Sequence, residues 1–303
     1  MPICWASEEM KYMKNKKKTK INLENVLIAA IGVTCVLLMV SFVREAKKDD
    51  TPKDGTPAEP TSVALTVEKS GDPASHVYSH RGASGEEEEH SFAAYDLAIL
   101  YGSRYIEQDV VLSSQGTLYV SHDLSALRMT EQDVLFSEMK DADIDALHTT
   151  GGHPILRLSD VFDRYGTSVN YVIELKDEEA VDPFVKLVKK YKMQDNIIVQ
   201  CFYIRALRKL EKTFPDMPKL YLVSSQEILD KSLSYDCVDI VSVGKNLMTA
   251  ENREAVRGAG KTFSAWTLDS ADEIQAAIDL GVDCYFTNYT AKALALENEY
   301  RGQ

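Results

Sequence analysis

From residue 76 to residue 287 short apolar runs alternate with longer amphipathic ones, and this rhythm restricts the chain to very few folds. Runs rich in Val, Ile and Tyr read as strands over 76–80, 105–112, 117–122, 169–175, 196–202, 220–224, 238–243, 262–268 and 283–287. Segments with apolar residues at helical spacing fall between them, over 91–101, 178–191, 204–213, 250–258 and 271–280, with a further helical stretch between 224 and 238. Repeated β–α alternation implies parallel strands with helices outside. Some eight such strands in one unit predict a (β/α)8 TIM-like barrel rather than an open sheet. No Gly-x-Gly-x-x-Gly follows any strand, which argues against a dinucleotide fold. The two strands around the turn at 113–116 lie close together, and residues 124–158 break the rhythm as a small insertion expected over the barrel mouth.

The barrel is expected to occupy 75–303, 229 residues, enough for one domain with a large core. Ahead of it are a basic tail at 1–25, an uncharged apolar segment at 26–43 and a Lys-, Asp-, Pro- and Thr-rich spacer at 44–74 without apolar period. The 18 residues of the apolar segment would span ~27 Å as a helix, just enough for a hydrocarbon core. A cleaved signal peptide is the rival reading, but no small-residue cleavage site follows. Six Lys precede the segment and four Lys or Arg follow it closely, which favours a single-pass cell-membrane anchor with the N-terminus inside and the large domain extracytoplasmic.

The chain carries a net charge of −13, and residues 1–43, with six Lys and three Glu, leave −16 for the rest. A domain that acidic does not bind nucleic acid through a general field, so an anionic substrate must be met by local Arg, Lys or metal. Of five cysteines, Cys4 lies in the tail and Cys35 in the apolar segment. Cys201, Cys237 and Cys284 each sit in an apolar run and show neither disulfide nor zinc spacing, so they read as small buried hydrophobes.

Chemistry-bearing residues gather at the ends of the strand-like runs, where barrels place their active sites: His80-Arg81-Gly82, Glu107-Gln108-Asp109 and His122-Asp123. Glu107 and Asp109 on one strand point to the same face, ~6.6 Å apart along it. Paired anions in a strand this apolar ask for a cation. Histidine suits proton transfer near neutral pH.

Taken in order, HRGASG at 80–85, the helix SFAAYDLAILYG, YIEQDV at 105–110, YVSHD at 119–123, IELK at 173–176 and AWTLD at 265–269 resemble the glycerophosphodiester phosphodiesterases over essentially all of 77–288. The resemblance implies His80 and His122 as the acid–base pair and Glu107, Asp109 and Glu174 as ligands of one divalent cation, Mg²⁺ or Ca²⁺, with Mn²⁺ as a further hard ion. It implies Arg81 and Lys176 as holders of the substrate phosphate and Trp266 as an aromatic of the pocket. It also implies hydrolysis of a small glycerophosphodiester, often with the glycerol 2-hydroxyl attacking to give a cyclic phosphate that water opens. Lysolipid substrates, as in phospholipase D-like relatives, and glycerophosphate polymers such as teichoic acid are alternatives on the same site. A lapsed barrel acting as an adaptor would be expected to lack a His or a carboxylate, and none is missing.

Bland roles stand beside these. A strand-end His is often a structural donor, Arg81 and Lys176 could simply pair with the carboxylates, and Trp266 could be a core aromatic. The chain also departs from the resembled pattern. Glu88-Glu89-His90-Ser91 stands where many relatives have Pro-Glu-Asn-Thr, keeping the acid as Glu89, with Ser91 able to cap the next helix. Asp269 and Asn288 replace an expected Asn and Asp. The Glu86–Glu89 run reads as a solvated loop near the mouth that could favour a cationic headgroup such as choline.

Overall fold

The computed structural model describes residues 76–302; the expected tail, membrane anchor and spacer lie outside the described residues. Among the described residues no helix is long and apolar enough to cross a membrane. Nine strands form one sheet: β1 (Val77–Ser79), β2 (Tyr105–Leu112), β3 (Leu118–Val120), β4 (Asn170–Leu175), β5 (Ile197–Cys201), β6 (Lys219–Val223), β7 (Ile240–Gly244), β8 (Thr262–Trp266) and β9 (Cys284–Thr287). Eight of them are parallel, in the order β1-β9-β8-β7-β6-β5-β4-β2, and β1 pairs with β2 to close the barrel. This is the expected architecture, with β3 as an antiparallel addition to β2.

The alternation of strand side chains sorts the two layers. Outward residues such as Ile106, Val110, Tyr171, Ile173, Val199, Val241 and Phe263 pack under the helices in the main core. Inward residues nearer the strand starts, Tyr78, Tyr105, Val172, Ile198, Leu220, Ile240 and Cys284, fill the barrel with an apolar plug. Two residues further along, the same inward rows become polar: His80 after Tyr78, Glu107 after Tyr105, Glu174 after Val172 and Gln200 after Ile198. A polar cup therefore sits on an apolar floor at the C-terminal end of the barrel.

The hairpin carries His122 to the C-terminal end of the barrel. β1 ends at Ser79 and pairs only with the start of β2, so the upper edge of β2 is free for β3. β3 runs back down from Leu112 to Val110, and the Ser121 amide then donates to the Asp109 carbonyl at 3.0 Å. His122 follows immediately, past the end of β3.

The insertion runs to Arg157 and holds short helical pieces at Leu127–Thr130, Phe136–Glu138 and Asp141–Asp145. It has its own small core of Ala126, Phe136, Ile144 and Ile155 against Val111 and Tyr119, so it packs on the β2–β3 hairpin. Two helices beyond the expected set complete the shell, Leu158–Tyr165 and Thr290–Arg301. Cys201 and Cys284 are buried and Cys237 half-buried, all free thiols.

Candidate active site

The loop after β1 is folded tightly. Arg81 takes φ 58° and Gly82 φ 85°. A Cβ at Gly82 would lie 2.6 Å from the Ala94 carbonyl carbon, so only glycine lets the loop close onto the helix Phe92–Leu100. Ser91 caps that helix by accepting from the Ala94 amide at 3.1 Å.

Register brings the acids together. Asp109 on β2 pairs with Glu174 on β4, which pairs with Gln200 on β5. Glu107, Asp109 and Glu174 are all buried, and one ligand oxygen from each lies within 4.8 Å of the others. The Arg81 amide donates to Glu107 Oε2 at 2.9 Å and Gln200 Nε2 to Glu107 Oε1 at 2.8 Å. Lys176 Nζ lies 3.0 Å from both Asp109 Oδ1 and Glu174 Oε1. Arg81 Nε is 3.3 Å from Asp109 Oδ2, and Arg81 Nη1 donates to both oxygens of Glu89. Arg81 and Lys176 are thus ion-paired to the cup, the bland alternative for them, while remaining cations at its edge.

Burial and the neighbouring Asp109 push Glu107 well above the ordinary carboxylate range and raise Glu174 to about 8. Asp109 goes the other way: burial opposes its charge, but Lys176, His90 and Arg81 hold it well below that range. Without a metal, burial therefore favours the protonated forms of Glu107 and Glu174, while Asp109 stays ionised between the two cations. Three hard carboxylate oxygens on rigid strands fit a Mg²⁺, Ca²⁺ or Mn²⁺ ion, which would favour the ionised form of each.

The two histidines differ in setting. The His80 ring is half-buried, and its desolvation followed by the Arg81 charge lowers it to about 3. Its Nδ1 is 2.8 Å from Asn288 Oδ1. Asn288 Nδ2 donates to Asp269 Oδ2 at 2.8 Å, so the amide oxygen must face His80 and the ring must donate from Nδ1. His122 is 39 % exposed, with Nδ1 2.8 Å from Asp123 Oδ1. The hydrogen bond from His122 and the charge of Arg128 hold Asp123 well below the ordinary range. Trp266 donates from Nε1 to the Ser242 carbonyl at 3.1 Å and meets Phe202 edge-on at 6.0 Å, half-buried above the apolar floor.

The reading of Glu86–Glu89 as a solvated loop needs correction. Glu86 and Glu87 are exposed, but Glu88 accepts from Thr149 Oγ1 at 2.5 Å, and Glu89 bridges Arg81 and Arg128. Both tie the first loop to the insertion, and the Arg128 contacts hold Glu89 at about 2 against its burial. Gln200, Arg128 and His90 were not among the expected site residues. Gln200 was visible as the inward position of a strand, whereas Arg128 lies in an aperiodic segment and nothing local marks it.

The profile of the Glycerophosphoryl diester phosphodiesterase family matches residues 80–292. The chain belongs to this family. Similar proteins include a glycerophosphodiester phosphodiesterase of Bacillus subtilis strain 168, 25 % identical over 69 % of this chain and 82 % of that one. A second, from Caldanaerobacter subterraneus subsp. tengcongensis, is 28 % identical over 70 % and 93 %. Among solved structures, a phosphodiesterase of Oleispira antarctica in complex with the product sn-glycerol-3-phosphate matches with a TM-score of 0.67 at 23 % identity, over 74 % of this chain and 96 % of that one. The chain is an enzyme of phosphodiester hydrolysis, and the eight-stranded barrel is the fold of its relatives.

Proposed function

We propose that the chain cleaves glycerophosphodiesters to glycerol phosphate and an alcohol by acid–base catalysis from two histidines beside one carboxylate-bound divalent cation. The observation that carries this reading is the convergence of Glu107, Asp109 and Glu174 within 4.8 Å. Without an ion, burial favours the protonated forms of Glu107 and Glu174. A bound divalent cation would hold all three acids ionised, and with Arg81 and Lys176 the set would then carry one net positive charge, the complement of a phosphodiester monoanion. When bound, the cation supplies charge for the phosphate oxygens and for the attacking oxygen.

The residues divide the rest of the work. His80 donates from Nδ1 to Asn288, so its Nε2 carries a lone pair and the neutral ring acts as base. It takes the proton of the attacking hydroxyl, the glycerol 2-hydroxyl or water, as the new O–P bond forms. His122 gives its Nε2 proton to the departing alkoxide as the old O–P bond breaks, while its Nδ1 donates to Asp123 and fixes the ring's orientation. Opening of a cyclic phosphate by water reverses the two roles and restores both rings. Arg81 forks onto the phosphate from the edge of the cup, and Trp266 walls the side facing β7.

Hydrolysis of glycerophosphocholine and glycerophosphoglycerol, with Mg²⁺, Ca²⁺ and Mn²⁺ in turn, tests the proposal. Turnover with at least one ion, abolished in Glu107→Gln, is expected; no turnover with any ion, or full turnover in Glu107→Gln, refutes it. A lysolipid is the second reading. It is favoured by exposed Leu124, Leu127 and Leu135 in the insertion and by exposed Phe202 and Tyr203 just after β5. A higher kcat/KM on lysophosphatidylcholine than on glycerophosphocholine would select it. We further propose that residues 26–43 anchor the enzyme in the cell membrane with the barrel outside; protease that leaves the barrel intact on whole cells would overturn this.

A further inference from the structure

One buried histidine takes no part in the proton transfers above. His90 is 7 % exposed and sits in the left-handed region at φ 60°, a conformation that His tolerates better than most side chains do. Its amide donates to the Arg81 carbonyl at 3.0 Å, which fixes the backbone on the opposite side of the loop. The ring is then held at both ends. Nε2 lies 3.0 Å from Asp109 Oδ2, and Nδ1 lies 2.9 Å from the hydroxyl of Tyr95, itself fully buried on the helix Phe92–Leu100.

We propose that His90, backed by Tyr95, is a positioning residue that turns Asp109 toward the divalent cation. This rests on the cation reading of the cup. Asp109 is an ionised carboxylate between Lys176, Arg81 and His90, so it can only accept, and Nε2 must carry the ring hydrogen. The neutral ring then accepts at Nδ1, and the Tyr95 hydroxyl donates to it. Only one tautomer and one ring orientation satisfy both bonds. The two oxygens of Asp109 are thereby given different tasks. Oδ2 is taken up by His90 and lies 3.3 Å from Arg81 Nε, whereas Oδ1 is on the side of another ligand, bridged by Lys176 Nζ to Glu174 Oε1 at 3.0 Å each. Without the Nε2 hydrogen bond the carboxylate is freer to rotate, and Oδ1 leaves the position that the other two ligands share. Partners of this kind behind a metal ligand typically change metal affinity ~10–100-fold when removed.

The test is titration of the full chain with Mg²⁺, Ca²⁺ and Mn²⁺ by calorimetry, with thermal unfolding recorded alongside. His90→Phe keeps a ring and removes both bonds, and a dissociation constant weaker by ~10–100-fold is expected. Turnover should fall at limiting metal and largely recover when metal is saturating. His90→Asn keeps an N–H donor in a residue that accepts positive φ, and should bind metal more tightly than His90→Phe. Tyr95→Phe leaves the ring unanchored at Nδ1, and a smaller weakening of the same sign is expected. A His90→Phe variant that melts earlier yet binds metal as the wild type does would overturn the proposal, since a role in packing alone predicts that result. If His90→Phe does not fold, Tyr95→Phe decides: unchanged metal affinity overturns the proposal and weaker affinity supports it. Failure of the wild-type chain to bind any of the three ions would instead overturn the cation reading, a distinct result.

Discussion

At the residue scale, the roles of the two histidines are set by what stands behind each ring. An isolated His titrates near 6.5, but burial and Arg81 bring His80 down to about 3, and a bound cation would push in the same direction. His80 is therefore a free base throughout the neutral and mildly acidic range. At saturating divalent cation, kcat/KM should show no loss with a midpoint near 6.5 that is assignable to this ring; a pH–rate profile that loses such a limb in His80→Asn would contradict it. His80→Ala itself should lower kcat/KM by ~10²–10⁴-fold with the fold intact, as judged by circular dichroism and steady-state kinetics. His80 and His122 stood out in the sequence at the ends of apolar runs, and the three acids as charges within apolar strands, and the structure brings those acids together. The partner chain was less so. Asp269 and Asn288 stood out only as departures from an expected pattern, and their meaning needs the Asn288 Nδ2 bond to Asp269 Oδ2, which links residues on two different strand-end loops. Glu89 and Arg128 pair across 39 positions in sequence, a separation at which local pattern carries no information.

At the scale of elements, the barrel was readable because strand and helix periods differ, and the span 105–112 agrees with β2 as found. The two helices beyond the expected set show where such reading thins. Leu158, Val161, Phe162 and Tyr165 do follow a helical stripe, but the helix starts without a Ser, Thr, Asp or Asn cap, and Asp160 instead accepts from the Arg157 amide at 3.0 Å. It runs on directly from the aperiodic insertion, which hides its start. In the last helix the buried row is Thr290, Ala293, Leu294 and Glu297, and an acid at the fourth position blurs the apolar face. The first loop offers the sharpest element-scale test. Gly82→Ala places a methyl group 2.6 Å from a backbone carbon at φ 85°, so the loop must shift. A loss of more than about 1 kcal/mol is expected in urea unfolding. Activity should fall as well, because the Arg81 amide that holds Glu107 moves with the loop. Unchanged unfolding and unchanged activity would show that the close approach to Ala94 is relieved at no cost.

At the scale of the whole molecule, the acid cup couples metal, pH and stability. Glu174 has a folded value of about 8 against an ordinary 4.5, and Glu107 is raised too. A raised group adds stability that is fully present below its unfolded value and is lost as pH rises through its folded value. In the metal-free protein Glu174 should therefore cost stability progressively between about 4.5 and 8, and Glu107 adds the same sign. Groups lowered by burial, such as His80 and His90, act in the opposite sense, losing stability as pH falls below the ordinary 6.5. The raw melting temperature mixes both, so the decisive quantity is the difference between melts with and without divalent cation at each pH. A cation binds the ionised carboxylates, and protons compete with it. The stabilisation it confers, about 2.7 kcal/mol at a concentration a hundred times its dissociation constant, should therefore shrink at fixed concentration as pH falls toward 4.5 and grow as pH rises toward 8. Differential scanning calorimetry in chelator and in Mg²⁺ or Ca²⁺ reads this directly. Glu174→Gln removes one ligand and one titrating group, so the metal-dependent difference should collapse across the range. A difference that grows toward low pH would mean that the ion binds somewhere other than these three acids.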